Sequence, residues 1–364
     1  MTLLSHIPAH IHSISPYVPG KPITALSRET GVPIEQIIKL ASNENPLGMS
    51  PMARRAASQI LSGSERYPDQ FDLIAKISKK LEVTPNQVAL GNGSNDVLDL
   101  AARVFLTPGT SAVMSQYAFA VYPISTTAAG ARCIVVPALD YGHDLAAMAA
   151  AIEATTRLVW IANPNNPTGN FLPYPQLKSF MAEVPKDVAV VLDEAYNEYL
   201  PPHMRDDATH WLNEFPNLII TRTFSKIYGL AGLRVGYAVA APDVVDLLNR
   251  VRQPFNVNSL ALAAANAAMD DHEFLHKSYE QNQRGMAQIL DGLGRMGLSY
   301  IEPHGNFVTF AVADAAQVNA RLLQLGVIVR PIAGYGLPNH LRVTIGLDVE
   351  NSRFLEALTV ALLD

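Results

Sequence analysis

Between residues 88 and 240 short apolar runs alternate with helical stretches, and that alternation constrains the fold more than any other feature of the chain. Runs at 88–90, 111–116, 133–136, 157–162, 188–192, 217–221 and 235–240 are short and rich in Val, Ile and Leu. Helical patterns lie between several of them, at 95–105, 120–129, 144–154 and 174–183, and another follows at 242–251. Strands that are apolar on both faces and joined by helices predict an α/β fold. The expected form is a mostly parallel sheet of seven strands sandwiched by helices.

The rhythm changes on either side of this region. The first forty residues are rich in proline, at positions 8, 16, 19, 22 and 33, and read as an extended arm leading into a short helix and strand. A long helical stretch at about 260–296 leaves the sheet. Strands at 306–312, 327–330 and 340–345, with helices at 315–325 and 351–363, then predict a smaller α+β unit. A chain of 364 residues exceeds one ordinary hydrophobic core. The expected division is an N-terminal arm (1–40), a large domain (41–250) and a small C-terminal domain (251–364).

Composition narrows the function classes. Lys plus Arg is 27 against 33 for Asp plus Glu, a net charge of -6 with no basic block, which argues against a nucleic-acid partner. The N-terminus has no basic stretch followed by an apolar one, and no run approaches a membrane span, so a cytoplasmic protein is expected. The single cysteine, Cys133, cannot form an internal disulfide and reads as a strand residue. His6, His10 and His12 lack acidic or cysteine partners nearby, so no metal site is expected.

Four segments bring polar residues to strand ends, where ligands bind in sheets of this kind. Gly91-Asn-Gly-Ser-Asn95 follows a strand and opens a helix. Asn163-Pro-Asn-Asn-Pro-Thr-Gly169 follows another strand, and Asp193 ends the run V-V-L-D-E-A-Y at 190–196. T-F-S-K-I-Y-G-L-A-G-L-R-V-G-Y at 223–237 sets Lys226 between Thr223 and Arg234. A lysine that must form a Schiff base needs hydroxyl and guanidinium groups to hold a phosphate. It also needs a buried carboxylate to protonate a pyridine nitrogen. Lys226 and Asp193 in these surroundings meet the needs of a pyridoxal-phosphate enzyme.

Other residues fit the same scheme. Gly93, Ser94 and Asn95 would present backbone N–H groups to a phosphate at a helix N-terminus, although they also suit a plain N-cap. Asn166 and Tyr196 would donate to the cofactor's phenolic oxygen, and Phe119 is placed either to stack on the ring or to fill the core. Arg342 lies in the apolar run L-R-V-T-I, a costly place for an unpaired charge. With Arg330 it suits a carboxylate or phosphate on the substrate, or a structural ion pair.

These motifs resemble the fold-type-I pyridoxal-phosphate aminotransferases of class II, and within them the histidinol-phosphate branch. The resemblance runs from A-S-N-E-N-P-L-G (41–48) and R-Y-P-D (66–69) through N-P-N-N-P-T-G, D-E-A-Y and T-F-S-K to G-Y-G-L-P-N-H-L-R-V-T-I-G (334–346). It implies a homodimer with shared active sites, in which Tyr67 reaches the cofactor phosphate of the other subunit. Ser94, Asn95, Thr223, Ser225 and Arg234 would bind that phosphate from within. Asn166, Asp193 and Tyr196 would hold the ring and Phe119 would stack on it. Tyr17 and Asn43 would face the substrate, with Arg330 and Arg342 gripping its anion. The implied reaction moves the amino group of L-histidinol phosphate to 2-oxoglutarate, giving imidazole-acetol phosphate and glutamate in histidine biosynthesis. An aromatic amino-acid aminotransferase would use the same arginines for a carboxylate, and a decarboxylase of a phosphorylated amino acid the same lysine and aspartate.

Overall fold

The computed structural model describes residues 3–363. Its strands, in chain order, are β1 (Ile38–Lys39), β2 (Val88–Gly91), β3 (Ser111–Ser115), β4 (Arg132–Val136), β5 (Thr156–Ala162) and β6 (Ala189–Asp193). There follow β7 (Leu218–Thr223), β8 (Gly236–Ala240), β9 (Phe307–Ala311), β10 (Val327–Ile328), β11 (Arg330–Pro331) and β12 (His340–Thr344). Seven of them form one sheet in the order β2-β8-β7-β6-β5-β3-β4. Strand β8 runs antiparallel to both neighbours, and the other pairings are parallel. Each apolar run between 88 and 240 contributes one strand, as buried strands without a polar face require.

Side chains alternate cleanly across this sheet. Val190 and Leu192 of β6 and Leu218 and Ile220 of β7 enter one core, with the helices Pro51–Ile60, Phe71–Leu81 and Tyr174–Glu183. Ala189 and Val191 of β6 and Ile219 of β7 enter the opposite core, with the helices Ser94–Phe105 and Pro242–Val251. The layers place the polar strand ends in a row along one edge of the sheet.

The C-terminal part builds its own core around Phe310, Val343 and Phe354, under the antiparallel sheet β11-β12-β9. The stretch expected as one helix at 260–296 is two, Ser259–Ala268 and His272–Arg295. Asp271 causes the break: its carboxylate accepts from Phe274 N at 3.1 Å and caps the second helix. The first of the two helices lies in the core of the large sheet through Ala261, Ala264 and Ala268. The run expected as one strand at 327–330 is also split. β10 pairs in parallel with β1, whereas β11 pairs with β12. Residues 26–41 pack accordingly beside the C-terminal sheet, through Leu26, Ile37 and Ala41 against Ile328. Among the described residues no helix is long and apolar enough to cross a membrane.

Candidate active site

The carboxyl ends of β2, β5, β6 and β7 open on one cavity of about 240 Å³. Of the residues singled out in the sequence, it is lined by Tyr17, Asn43, Ser94, Asn95, Phe119, Asn166, Asp193, Tyr196, Thr223, Ser225, Lys226, Arg234 and Arg342. They come from segments as far apart as residues 17 and 342.

Asp193 is buried at the end of β6. Its Oδ2 accepts a hydrogen bond from the Tyr122 hydroxyl at 2.9 Å, and its Oδ1 has no partner. Burial pushes the carboxyl up to about 6, against the Tyr122 bond that favours the charged form. A buried acceptor left bare costs stability. A protonated ring nitrogen would satisfy it, so the aspartate fits a pyridoxal ring.

Lys226 follows β7, with Nζ 3.3 Å from the Ser42 carbonyl and 5.5 Å from the centre of the Tyr196 ring. Burial and then the Arg342 guanidinium bring its amine down to about 8. A lysine depressed this far keeps a substantial neutral fraction at physiological pH, so it can serve as a nucleophile and as a base.

An anion cradle lies beside it. Gly93 precedes the helix Ser94–Phe105 at φ 82°, and no side chain caps that helix. A Cβ on Gly93 would sit 2.2 Å from Arg234 Nη2. Only glycine therefore lets the guanidinium lie against the helix N-terminus. Arg234 Nη1 donates to Ser225 Oγ at 3.3 Å and to the Ala231 carbonyl at 2.9 Å, and the Thr223 hydroxyl accepts from Ser225 N at 3.1 Å. Free N–H groups, two hydroxyls and a guanidinium converging at one point fit a phosphate.

Arg342 is buried and holds Asn166 Oδ1 through Nη1, at 2.5 Å, and the Ala41 carbonyl through Nη2, at 2.9 Å, while its Nε has no partner. It is paired in register with Arg330 across β11 and β12. Two like charges set opposite each other repel unless an anion lies between them. Arg330 itself lies over the Tyr17 ring, 5.3 Å from its centre, and lines a second, larger cavity with which the first shares Tyr17 and Tyr335. Asn43 donates to the Tyr196 hydroxyl at 2.9 Å and is itself held by Thr344 and Asn306.

Tyr67 is placed elsewhere. It is 80% exposed, stacks on Phe255 and lines neither cavity. The sequence reading missed Tyr122, Tyr335, Glu44 and Ser42. Tyr122 lies in the first turn of the helix Val121–Ala128, three residues beyond Phe119, and its residue type alone does not mark the contact with Asp193. Ser42 contributes its backbone carbonyl, which leaves no trace in residue type.

A sheet with its lysine, aspartate and anion cradle at the strand ends defines a class of protein. The chain belongs to the class I and II aminotransferases, whose family model matches residues 35–358. Among its relatives, histidinol-phosphate aminotransferase 1 of Dechloromonas aromatica is 66% identical over 362 residues, covering 100% of both chains. Histidinol-phosphate aminotransferase 2 of Pseudomonas fluorescens is 56% identical and covers 96% of this chain and 95% of its own. Among solved structures, histidinol-phosphate aminotransferase from Sinorhizobium meliloti, in complex with pyridoxal-5'-phosphate, superposes with a TM-score of 0.90 at 28% identity, covering 98% of each chain.

Proposed function

We propose that the chain is a pyridoxal-phosphate aminotransferase that moves the amino group of L-histidinol phosphate to 2-oxoglutarate in histidine biosynthesis. The observation that carries the cofactor and its chemistry is the bare Oδ1 of Asp193 in the same cavity as the depressed Lys226 amine, and the choice of donor rests on the histidinol-phosphate aminotransferases to which the chain is 56–66% identical. Pyridoxal phosphate, when bound, supplies an electron sink for the pair released when a bond at Cα breaks.

The residues divide the remaining work. Gly93, Ser94, Asn95, Thr223, Ser225 and Arg234 hold the cofactor phosphate. Asp193, steadied by Tyr122, keeps the ring nitrogen protonated. Phe119, which lines the cavity, would stack on the ring. Asn166 and Tyr196 donate to the phenolic oxygen: Asn166 gives Oδ1 to Arg342 and keeps its amide protons, and Tyr196 accepts from Asn43 and keeps its hydroxyl proton. Lys226 Nζ would hold the cofactor covalently and would serve as the base that takes the proton from the substrate Cα. Arg342 and Arg330 bind the substrate's phosphate, or the carboxylate of the second substrate, with Tyr17 and Asn43 at the same end. We further read the protein as a cytoplasmic homodimer in which Tyr67 reaches the cofactor phosphate of the other protomer; its exposure in a single chain supports that reading.

The test is a pair of half-reactions. The cofactor-loaded protein is mixed with L-histidinol phosphate, and separately with L-phenylalanine, while the cofactor absorbance is followed. Fast bleaching with histidinol phosphate and slow bleaching with phenylalanine is the expected result. The reverse preference makes the protein an aromatic aminotransferase, and release of carbon dioxide from phenylalanine in place of its keto acid makes it a decarboxylase.

A further inference from the structure

The cavity gives Asp193 a purpose but none to its chain neighbour. Glu194 is fully buried, and Arg222 on β7 is nearly so. Arg222 Nε and Nη2 both lie 2.8 Å from Glu194 Oε2, and the Tyr174 hydroxyl donates to Oε1 at 2.8 Å. Arg222 Nη2 also reaches Asp207 Oδ1 at 3.0 Å. Burial works against the charge on Arg222, but the Glu194 and Asp207 carboxylates hold the guanidinium protonated.

The alternation of the sheet locates this cluster relative to the cavity. Asp193, Thr221 and Thr223 continue the face of Val191 and Ile219. Glu194 and Arg222 continue the opposite face, that of Leu192 and Ile220, and neither lines the cavity. Each is nevertheless the direct neighbour of a cavity residue, Glu194 of Asp193 and Arg222 of Thr223. The backbone bonds are of one piece with this: Glu194 N donates to the Thr221 carbonyl at 2.9 Å and Asn163 N to the Asp193 carbonyl at 2.9 Å.

A buried ion pair is a poor source of stability, because well-packed apolar residues of the same volume do as well or better. What it supplies is fixed geometry between the strands that carry it. We propose that Glu194 and Arg222 are positioning residues for the cofactor: their ion pair locks the carboxyl ends of β6 and β7 together and thereby sets Asp193 against the Thr223–Lys226 loop. This rests on reading the cavity as a pyridoxal-phosphate site. The pair acts from behind the sheet, through the backbone, and touches neither substrate nor cofactor.

The test compares cofactor-loaded parent, Glu194→Gln, Glu194→Asp and Arg222→Lys proteins. Titratable groups around the pair are Asp207, Glu198, Lys80, Tyr174 and Tyr237, and those around Asp193 are Tyr122, Tyr196 and Lys226; all stay unchanged in these variants. For Glu194→Gln the pH midpoint of the cofactor absorbance moves by about half a pH unit or more, since Asp193, which would hold the ring nitrogen, has shifted; Arg222→Lys, which leaves every charge in place, moves it in the same way. The same variant loses about tenfold or more in kcat with KM nearly constant, the mark of misplaced rather than missing contacts. Glu194→Asp restores part of both. A merely structural pair would lower the melting temperature and leave the absorbance midpoint at the parent value. That result, with kcat within about twofold of the parent, overturns the proposal. Should Glu194→Gln not fold, Arg222→Lys, which keeps the charge and loses the fork, decides by the same two readouts. A parent protein that shows no cofactor absorbance overturns the proposed function instead, and this inference with it.

Discussion

Removing the amine of Lys226 stabilises the protein when no cofactor is bound. The fall of the amine from the ordinary lysine value of 10.5 to about 8 measures how much the fold disfavours its charge. At about 1.4 kcal/mol for each tenfold change in proton affinity, that fall is worth about 3 kcal/mol. Nζ borders an open cavity, and solvent screening there reduces the figure to about 1–3 kcal/mol. Lys226→Met keeps the packed stem and deletes the charge. The sign follows from proton linkage. Between pH 8 and 10.5 the unfolded chain binds a proton at this position that the folded chain does not. The destabilisation is therefore complete below about pH 8 and is lost as the pH rises towards 10.5. The assay is urea unfolding of both proteins, stripped of cofactor and at equal protein concentration, from pH 7 to pH 10.5. The stability gap should be widest at pH 7 and shrink steadily above pH 8, leaving only the pH-independent difference between the two side chains. A gap that is constant across this range, or that widens as the pH rises, refutes the reasoning.

Two further outcomes follow from the geometry. Gly93→Ala forces a Cβ to within 2.2 Å of Arg234 Nη2 at a φ of 82°, so it should weaken cofactor binding about tenfold or more and cost about 1–2 kcal/mol of stability, both read by titration and denaturant unfolding. Arg342→Ala should lower kcat/KM for anionic amino donors on the order of a hundredfold in steady-state assays, because it removes a charge-assisted contact from a buried site.

The sheet was legible because its strands are buried on both faces, which leaves unbroken apolar runs that no surface helix has. The lysine loop was legible because covalent chemistry restricts its neighbours, so Thr223, Lys226 and Arg234 carry information together that none carries alone. Tyr122 was not, since its contact with Asp193 joins positions 71 residues apart through two different elements. Nor was the network through Asn43, Thr344 and Asn306, which closes over some 300 residues of chain. The break at 269–271 was half visible: Asp270-Asp271 ends the alanine-rich run, but strong helix formers on both sides mask a cap that only the chain path makes necessary.

The cavity holds polar groups that a purely structural arrangement would have paired. Asp193 Oδ1 and Arg342 Nε are buried without partners, Lys226 is held short of full charge, and Arg330 faces Arg342 across two strands. Packing for stability alone would place the aspartate against the arginine. Asn166 takes one arm of Arg342 instead, and Tyr122 takes one oxygen of Asp193, so neutral residues occupy the positions where opposite charges would cancel. Each unmet group calls for a different part of one ligand set: a protonated ring nitrogen for Asp193, an aldehyde for Lys226, an anionic substrate for the arginines. A ligand that meets them stabilises the folded state by mass action. The destabilisation concentrated at this edge of the sheet is thus the physical trace of what the site is built to bind.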